Sequence, residues 1–256
     1  MDERDRAPRQ GRPRAVQGLH REPRRRDRRP PRDPRVARAI IGTITLLRHG
    51  QASFGAADYD ALSDLGREQA AVAGAELARR GLRDPLIASG SLSRQRETAA
   101  IAMTAMRLSG EPRTDSRFDE YDHVGMVAAE VGDDPAVMGD PTRFQAVLDE
   151  SLGAWVTADA AGGWRDFSAG ATAALAELAD DLGSGRDAVV STSGGVIAAI
   201  VAHLLGLGAD GVVALNRVVV NAGLTTLIVG RSGTHLLTFN DHAHLTGDAA
   251  HLRTYR

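Results

Sequence analysis

The chain has 256 residues, of which 43% are hydrophobic, so it can bury a sizeable core in one large domain or two small ones. It contains no cysteine, which excludes disulfides, thiolate metal sites and cysteine nucleophiles. All 31 basic residues are arginine, which excludes Schiff-base chemistry and a lysine-dependent phosphate loop, and the formal net charge is only −2.

The first 38 residues differ from the rest in composition. They hold 14 Arg against 6 Asp or Glu, a net charge of +8, which leaves −10 for residues 39–256. With several prolines and few apolar residues, this segment is predicted to be a disordered Arg-rich extension. Clustered arginine favours nucleic-acid or acidic-surface binding. A solvated tail, or a start codon assigned too far upstream, explains the same composition.

No segment predicts a membrane protein. The extension lacks the apolar core of a secretory signal, and its scattered acids fit a transit peptide poorly. No apolar run approaches the ~20 residues that span a bilayer. We therefore expect a cytoplasmic protein without a membrane partner, and no nucleic-acid binding by the folded domain. The sequence leaves the oligomeric state open.

From residue 39 the pattern alternates between strands and helices. A continuous β-branched run is typical of a strand covered on both faces, and Ser63 and Gly81 are suited to cap the helix that follows. The elements predicted in this part are a strand at 39–47, a helix at 63–81, a strand at 85–89 and a helix at 91–108.

The second half repeats this alternation after an irregular region at 109–163, which contains one short helix around "FQAVLDESLGAW". The elements predicted beyond it are a helix at 164–182, a strand at 187–192, a helix at 195–206 and a hairpin at 222–240 that turns at 231–233. Strands alternating with helices predict one α/β domain at 39–256 with a mostly parallel sheet.

Four chemically suited side chains follow the predicted strands. Arg48 and His49 end the first strand, Arg94 follows the second, and Glu120 lies in "FDEYDH", the connection before the irregular insert at about 121–163. Ligand sites in α/β sheets lie beyond the carboxyl ends of the strands, so we expect these groups to converge. Two guanidiniums, one imidazole and one carboxyl group suit phosphate chemistry, because arginine pairs bidentately with phosphate oxygens and neutral imidazole can attack phosphorus.

Three motifs in order resemble those of the histidine phosphatase superfamily, which includes phosphoglycerate mutases and many phosphatases. They are "LLRHGQAS", "YDALSDLGREQA" and "SLSRQRETA", followed by a downstream acid, and the resemblance runs from about residue 42 to 245. It implies a phosphoglycerate mutase-like three-layer sandwich, with a mostly parallel sheet between helices and an insert at about 121–163 that roofs the pocket.

The resemblance also implies roles for individual residues. His49 would form a phosphohistidine, Arg48 and Arg94 would hold the phosphoryl oxygens, and Glu120 would protonate the leaving oxygen. Ser53 would add a donor to the phosphate, and neither a cofactor nor a metal is expected. The competing interpretation of Glu120 is a surface acid beside other acids.

One departure from the family pattern stands in "VVSTSGGVI". Alignment on its two glycines places Ser193 where the family has a second histidine, so Ser193 is expected to face the phosphate. A serine cannot carry the positive charge of a histidinium. Three explanations compete: another residue substitutes for the histidine, the enzyme is slow, or the site binds phosphorylated ligands without turnover.

Two histidines are candidates for the substitute, His242 in "TFNDHAHL" and His123 close after Glu120. The competing interpretation of each is an exposed loop histidine. His244 beside Leu245 matches a structural pair of the family. His203 is expected to serve packing or capping on a helix.

The substrate is harder to predict. A mutase of this family would follow its acid with a motif such as E-R-H-Y-G and use lysine for a carboxylate, whereas this chain reads "DEYDHVGM" and has no lysine. The sequence therefore favours a metal-independent phosphomonoesterase acting on a small phosphate ester. The alternatives are a mutase-type phosphotransferase and a non-catalytic phospho-ligand-binding protein. Trp155 or Trp164 could line the pocket, although lone tryptophans are more often core.

Overall fold

The computed structural model describes residues 40–53, 60–158, 160–183 and 185–255. The predicted Arg-rich extension at 1–38 lies outside these residues, so its disorder and its boundary at residue 39 stay predictions.

A six-stranded sheet forms the centre of the described residues. Its strands are β1 (Ile40–Arg48), β2 (Leu86–Ser89), β3 (Arg113–Thr114), β4 (Ala188–Thr192), β5 (Leu224–Gly230) and β6 (Gly233–Asp241). They lie in the order β3-β2-β4-β1-β5-β6. In this order, β3, β2, β4 and β1 are each parallel to the next strand, and β5 is antiparallel to both β1 and β6. Five strands therefore point the same way, as the mostly parallel prediction requires.

Eight α-helices occur in the described part of the chain. They are α1 (Asp64–Arg80), α2 (Ser93–Ala105), α3 (His123–Val131), α4 (Pro135–Met138), α5 (Pro141–Thr157), α6 (Trp164–Leu182), α7 (Gly194–Leu205) and α8 (Ala209–Val218). None is both long enough and apolar enough to cross a membrane.

Side chains that alternate along the strands divide the core into two layers. In β1, Ile44 and Leu46 pack with α6 and α7 on one face of the sheet. Leu47 packs with α1 and α2 on the other face. β2 and β4 follow the same rule, because successive strand residues point to opposite faces. Helices cover both faces, which confirms the three-layer α/β prediction.

The region at 109–163 is more helical than the sequence predicted. Instead of one short helix it forms α3, α4 and α5, and their starts follow one rule: Asp122, Asp134 and Asp140 each accept a hydrogen bond from a backbone N–H of the first turn. Proline stands at the first helical position of α4 and α5. These Asp-Pro pairs resemble turn signals but are helix starts, because proline needs no N–H there.

The sequence also assigned no element to residues 207–221, where the structure has α8. The N-cap position of this helix is Gly208, which has no side chain to cap it, so the usual signal for a helix start is missing. The helical insert and α8 share a core of their own, in which Phe144 and Leu148 of α5 pack with Val212 of α8. This satellite core places the insert beside the carboxyl edge of the sheet.

Candidate active site

A cavity of about 920 Å³ opens where β1 and β4 end. Five of the residues predicted for the site line it together: Arg48, His49, Arg94, Glu120 and His123. Arg48 is the last residue of β1, Arg94 lies in the first turn of α2, and Glu120 precedes α3. The parallel strands thus bring groups from distant parts of the sequence to one edge, as the topology requires.

The two ring nitrogens of His49 have different partners. Nε2 lies 3.2 Å from Nε of Arg94, and Nδ1 lies 2.7 Å from the carbonyl oxygen of Gly50. Because the arginine nitrogen can only donate, Nε2 accepts, and Nδ1 therefore carries the proton and donates to Gly50. His49 is only 6% exposed. The lone pair of the neutral ring is consequently on Nε2, where it accepts the hydrogen bond from Arg94.

The surroundings of His49 oppose its protonation. Burial is the main cause that lowers the pKa of His49 well below the usual range, and the charges of Arg48 and Arg94 lower it further. The hydrogen bond with the Gly50 carbonyl acts in the opposite direction but is outweighed. A neutral imidazole is the form that can act as a nucleophile.

Two glycines allow the loop after His49 to reach the start of α1. A Cβ on Gly50 would lie 2.2 Å from the carbonyl oxygen of Gly66, and one on Gly66 would lie 2.1 Å from that of Gln51. The Gln51 carbonyl also accepts a hydrogen bond from the Ser63 N–H at 2.9 Å. This close backbone contact fixes the loop that holds His49.

Arg94 is positioned by an acid as well as by His49. Its Nη1 donates to Oδ1 of Asp60 at 2.7 Å, and Oδ2 of Asp60 accepts from the N–H of Ser93 at 2.6 Å. Arg94 is 6% exposed, so the guanidinium is buried at the cavity wall with its charge partly balanced by Asp60.

Arg48 is held by main-chain carbonyls from the last described segment and from the end of α8. Its Nη1 donates to the carbonyl oxygen of Tyr255 at 2.8 Å and to that of Val219. Asn221 ties this segment to the loop that holds His49, because its N–H donates to the Thr254 carbonyl and its Nδ2 donates to the His49 carbonyl at 3.2 Å. The orientation of Arg48 therefore depends on residues far along the chain.

Glu120 is half-buried at the cavity wall, with its Oε1 shielded from solvent, rather than exposed on the surface. Burial is the main cause that raises the pKa of Glu120 above its usual value, against the opposing effect of a hydrogen bond from the Gly195 N–H to Oε2 at 3.2 Å. Oε1 has no hydrogen-bond partner among the described residues. This raised pKa favours the protonated form, which can donate a proton into the cavity.

Three of the predicted site residues do not reach the cavity lining. Ser193 is fully buried, and its Oγ accepts from Nε2 of Gln95 at 2.8 Å. Ser53 lies beside the undescribed residues 54–59. His242 is partly buried, with Nδ1 2.7 Å from the Asn240 carbonyl. Of the two candidate substitutes for the second histidine, the structure therefore brings only His123 to the wall.

The cavity lining does not include His203, His244 or the two tryptophans. His244 Nε2 lies 2.9 Å from the Ala222 carbonyl, in keeping with a structural role, whereas His203 is exposed in the last turn of α7 rather than packed. The Trp155 and Trp164 rings pack with Phe167, with centroids 5.4 to 5.6 Å apart. Both tryptophans therefore belong to the core of the insert.

Sequence reasoning missed several residues of the wall. Asn216, Asn221 and Tyr255 line the cavity, as do Arg217 of α8 and Asp149 of α5. A signal existed only for Asn221, a polar residue that directly follows a β-branched run. In the described ranges, no three His, Asp or Glu side chains are grouped as a metal site requires.

A family model matches residues 44–242, and its description is histidine phosphatase superfamily (branch 1). The chain belongs to the histidine phosphatase superfamily. The matched range includes four cavity residues that the motifs had singled out, Arg48, His49, Arg94 and Glu120, so the resemblance seen in the motifs is confirmed. A sequence search among curated proteins gave no match.

Solved structures with the same fold include phosphatases and a phosphoglycerate mutase. The mycobacterial glucosyl-3-phosphoglycerate phosphatase is 26% identical, with a TM-score of 0.53 over 79% of this chain and 100% of that chain. A phosphoglycerate mutase from Bacillus anthracis is 18% identical, with a TM-score of 0.54 over 82% and 97%. A phosphoserine phosphatase mutant from Entamoeba histolytica is also 18% identical, with a TM-score of 0.52 over 80% and 100%. They confirm the phosphoglycerate mutase-like fold.

Proposed function

We propose that the protein is a metal-independent phosphomonoesterase that acts on small phosphorylated metabolites through a phosphohistidine at His49. The observation that carries this proposal is the state of the His49 ring. Its Nε2 has a lone pair, its pKa is lowered by burial and by two arginines, and it lies at a cavity that also contains a half-buried glutamate. The family membership and the phosphatases among the structural neighbours support it.

In the first step, Nε2 of His49 attacks the phosphorus, and the bond between phosphorus and the ester oxygen breaks. The protonated Glu120 gives its proton to that oxygen, which leaves as an alcohol. Proton donation by such a group contributes typically 100- to 10,000-fold to the rate, on the order of what a poor alkoxide leaving group needs. Arg48 and Arg94 balance the charge on the phosphoryl oxygens, which is most of what phosphoryl transfer requires.

In the second step, a water molecule attacks the phosphohistidine while the Glu120 carboxylate accepts its proton. The phosphorus–nitrogen bond breaks, inorganic phosphate forms, and His49 returns to its neutral state with Glu120 protonated again. One histidine and one glutamate thus complete the cycle.

His123 is the proposed substitute for the second family histidine. It lies on the cavity wall, and it is close enough for a charge on it to lower the pKa of His49 further. In this proposal an imidazole N–H of His123 donates to the same phosphoryl group as Arg94. Ser193, which is buried and hydrogen-bonded to Gln95, has a packing role in this proposal.

The second candidate is a phospho-ligand-binding protein without turnover, which the replacement of a family histidine by Ser193 favours. A panel of phosphomonoesters separates the two. We expect the wild type to release inorganic phosphate equally well with and without a chelator, and His49→Ala to bind phosphate but release none. Loss of activity with chelator contradicts the metal-free mechanism, and binding without release by the wild type contradicts catalysis. Transfer of the phosphoryl group to a second alcohol in place of water would indicate a mutase.

A further inference from the structure

We infer that the cavity selects phosphate monoesters whose alcohol part is bulky and uncharged, and discriminates against esters with a carboxylate or a second phosphate. This inference rests on the proposed function, because it concerns the same site. Its basis is the distribution of charge and of apolar surface in the part of the cavity beyond Arg48 and Arg94.

The described lining contains three arginines, and each has a defined task or partner. Arg48 and Arg94 lie beside His49, and the charges of both act on its ring. A phosphate monoester carries up to two negative charges there, so these arginines are committed to the phosphoryl group. Arg94 is in addition paired with Asp60. Neither arginine is left to balance a second anion.

The third arginine, Arg217 of α8, is 57% exposed and already paired with an acid. Its Nε and Nη2 both donate to Oδ2 of Asp149, at 2.9 and 2.5 Å. The other carboxylate oxygen of Asp149 accepts from Nε2 of Gln145 at 2.5 Å. The Asp149 side chain is only 12% exposed, so its negative charge is fixed beside the arginine at the cavity wall.

A second anionic group of a substrate would therefore approach Arg217 and Asp149 together. It would gain attraction from one and repulsion from the other, and it would lose its hydration. The interaction does not repay the desolvation of a carboxylate or phosphate, whereas a neutral group avoids this cost.

The wall supplied by the insert favours a bulky body. Met138, Pro141, Phe144 and Leu148 line the cavity from α4 and α5. At about 920 Å³, the cavity is far larger than a three-carbon phosphoacid needs. Cavities of this size class, roughly 300 to 1,000 Å³, enclose drug-sized ligands. Apolar lining and paired charges together indicate a neutral alcohol of that size.

Two esters of equal size test this inference, 4-carbamoylphenyl phosphate and 4-carboxyphenyl phosphate. We measure the ratio of their kcat/KM values in the wild type, in Asp149→Asn and in Glu150→Gln. Glu150 is an exposed acid on the same helix outside the lining, so its variant removes the same charge without uncovering Arg217. Any difference in leaving group cancels when variants are compared.

We expect the wild type to have a kcat/KM about tenfold higher for the neutral ester. Asp149→Asn should lower that ratio about tenfold, which is the scale of leaving one charge, that of Arg217, without its partner. Glu150→Gln should keep the wild-type ratio. A wild type that prefers the carboxylate ester overturns the inference, as does an equal ratio in Asp149→Asn and Glu150→Gln. If Asp149→Asn does not fold, the wild-type affinities for the two corresponding phosphonates, which have no leaving group, decide.

Failure of the proposed function gives a different result. If the wild type turns over neither ester, the phosphatase proposal is wrong. The same comparison is then made with the two corresponding phosphonates by calorimetry, where a preference for the neutral phosphonate that Asp149→Asn removes supports the inference and equal affinities contradict it.

Discussion

His49 and Glu120 lie at one cavity, but their surroundings shift their pKa values in opposite directions. Burial disfavours the charged form of both groups, so it lowers the pKa of the imidazole and raises that of the carboxyl group. Both shifts therefore favour the coexistence of a neutral base and a protonated acid. Pairs of this kind are typical of sites that use one group as nucleophile and the other as proton donor.

These shifts predict the pH dependence of kcat/KM. Activity should fall at low pH only below the lowered pKa of His49, because the protonated ring cannot attack. It should fall at high pH above the raised pKa of Glu120, because the carboxylate cannot donate. Glu120→Gln should remove the alkaline limb relative to the wild type on the same substrate, and an unchanged alkaline limb in this variant contradicts the assignment.

The leaving group gives a second test of Glu120. Glu120→Gln should lower kcat/KM by ~100-fold or more for an alkyl phosphate and by less than ~10-fold for p-nitrophenyl phosphate, whose leaving group hardly needs a proton. Comparison of the two esters with the same protein preparation excludes a general loss of folding. Equal losses on both esters would show that Glu120 is not the donor.

The Ser193 position tests how the missing histidine is compensated. Because Ser193 is fully buried against Gln95, Ser193→His should not raise kcat/KM and should lower the free energy of unfolding by roughly 1 to 3 kcal/mol through overpacking. His123→Ala should lower kcat/KM, and His242→Ala, outside the cavity, is the matched control that should not. A large gain in kcat/KM from Ser193→His, without a loss from His123→Ala, contradicts the proposal that His123 replaces the missing histidine.

Among the elements, those with capping signals and a clear period were predicted well. The helix predicted at 164–182 coincides with α6, and Ser63 and Gly81 cap α1 as expected, with Gly81 in the left-handed conformation. The insert was predicted poorly, as an irregular region with one short helix, because its composition is mixed. Its Asp-Pro pairs start a helix or a turn equally well, so only the packing of the insert against α8 decides between the two.

Gly195 in the first turn of α7 leaves room for the side chain of Glu120. A Cβ there would lie 2.3 Å from Oε1 of Glu120 and 2.3 Å from the Tyr121 ring. Gly195→Ala should therefore displace Glu120 and lower kcat/KM for alkyl phosphates more than for aryl phosphates. Gly153→Ala in α5 is the control, because a Cβ there would lie 3.8 Å from the Val213 side chain and alanine favours a helix by about 1 kcal/mol. Equal activity in both variants contradicts this role of Gly195.

For the whole molecule, a buried carboxylate ties the sheet together at the end opposite the cavity. Asp187 accepts hydrogen bonds from the N–H and hydroxyl of Thr43 in β1 and from the N–H and guanidinium of Arg83 before β2. Burial alone would raise the pKa of Asp187, but the hydrogen bonds from Arg83 and Thr43 outweigh it and hold the pKa at about 2.

This network predicts an acid-dependent stability. Because the folded pKa is depressed, the contribution of Asp187 is full above its unfolded value near 3.8 and is lost as the pH falls towards about 2. Asp187→Asn should lower the free energy of unfolding in urea by about 2 kcal/mol at neutral pH, and the gap to the wild type should shrink below about pH 4. Asp181→Asn, which removes an exposed ion pair with Arg113, should cost less than about 1 kcal/mol. A gap for Asp187→Asn that does not depend on pH contradicts the network.

The part of the candidate site that lies at the ends of strands could be predicted from the sequence. The ends of β1 and β2 locate Arg48, His49 and Arg94, and the topology of a parallel sheet brings them together. The pairing of Arg217 with Asp149 was not predictable, because it depends on how α5 packs against α8. Neither helix has a sequence pattern that fixes its partner, so the part of the site that would select the substrate emerges only from the fold.

The central claim is that the phosphoryl group resides on Nε2 of His49, and one measurement tests it most directly. In Glu120→Gln treated with p-nitrophenyl phosphate, formation of the intermediate should be nearly normal while its hydrolysis, which needs the carboxylate as base, is slow. Mass spectrometry of the quenched protein should then find one acid-labile phosphoryl group on the peptide that contains His49, and phosphorus NMR should assign it to Nε2. A phosphoryl group on another residue, or none while p-nitrophenol is still released, would contradict the account.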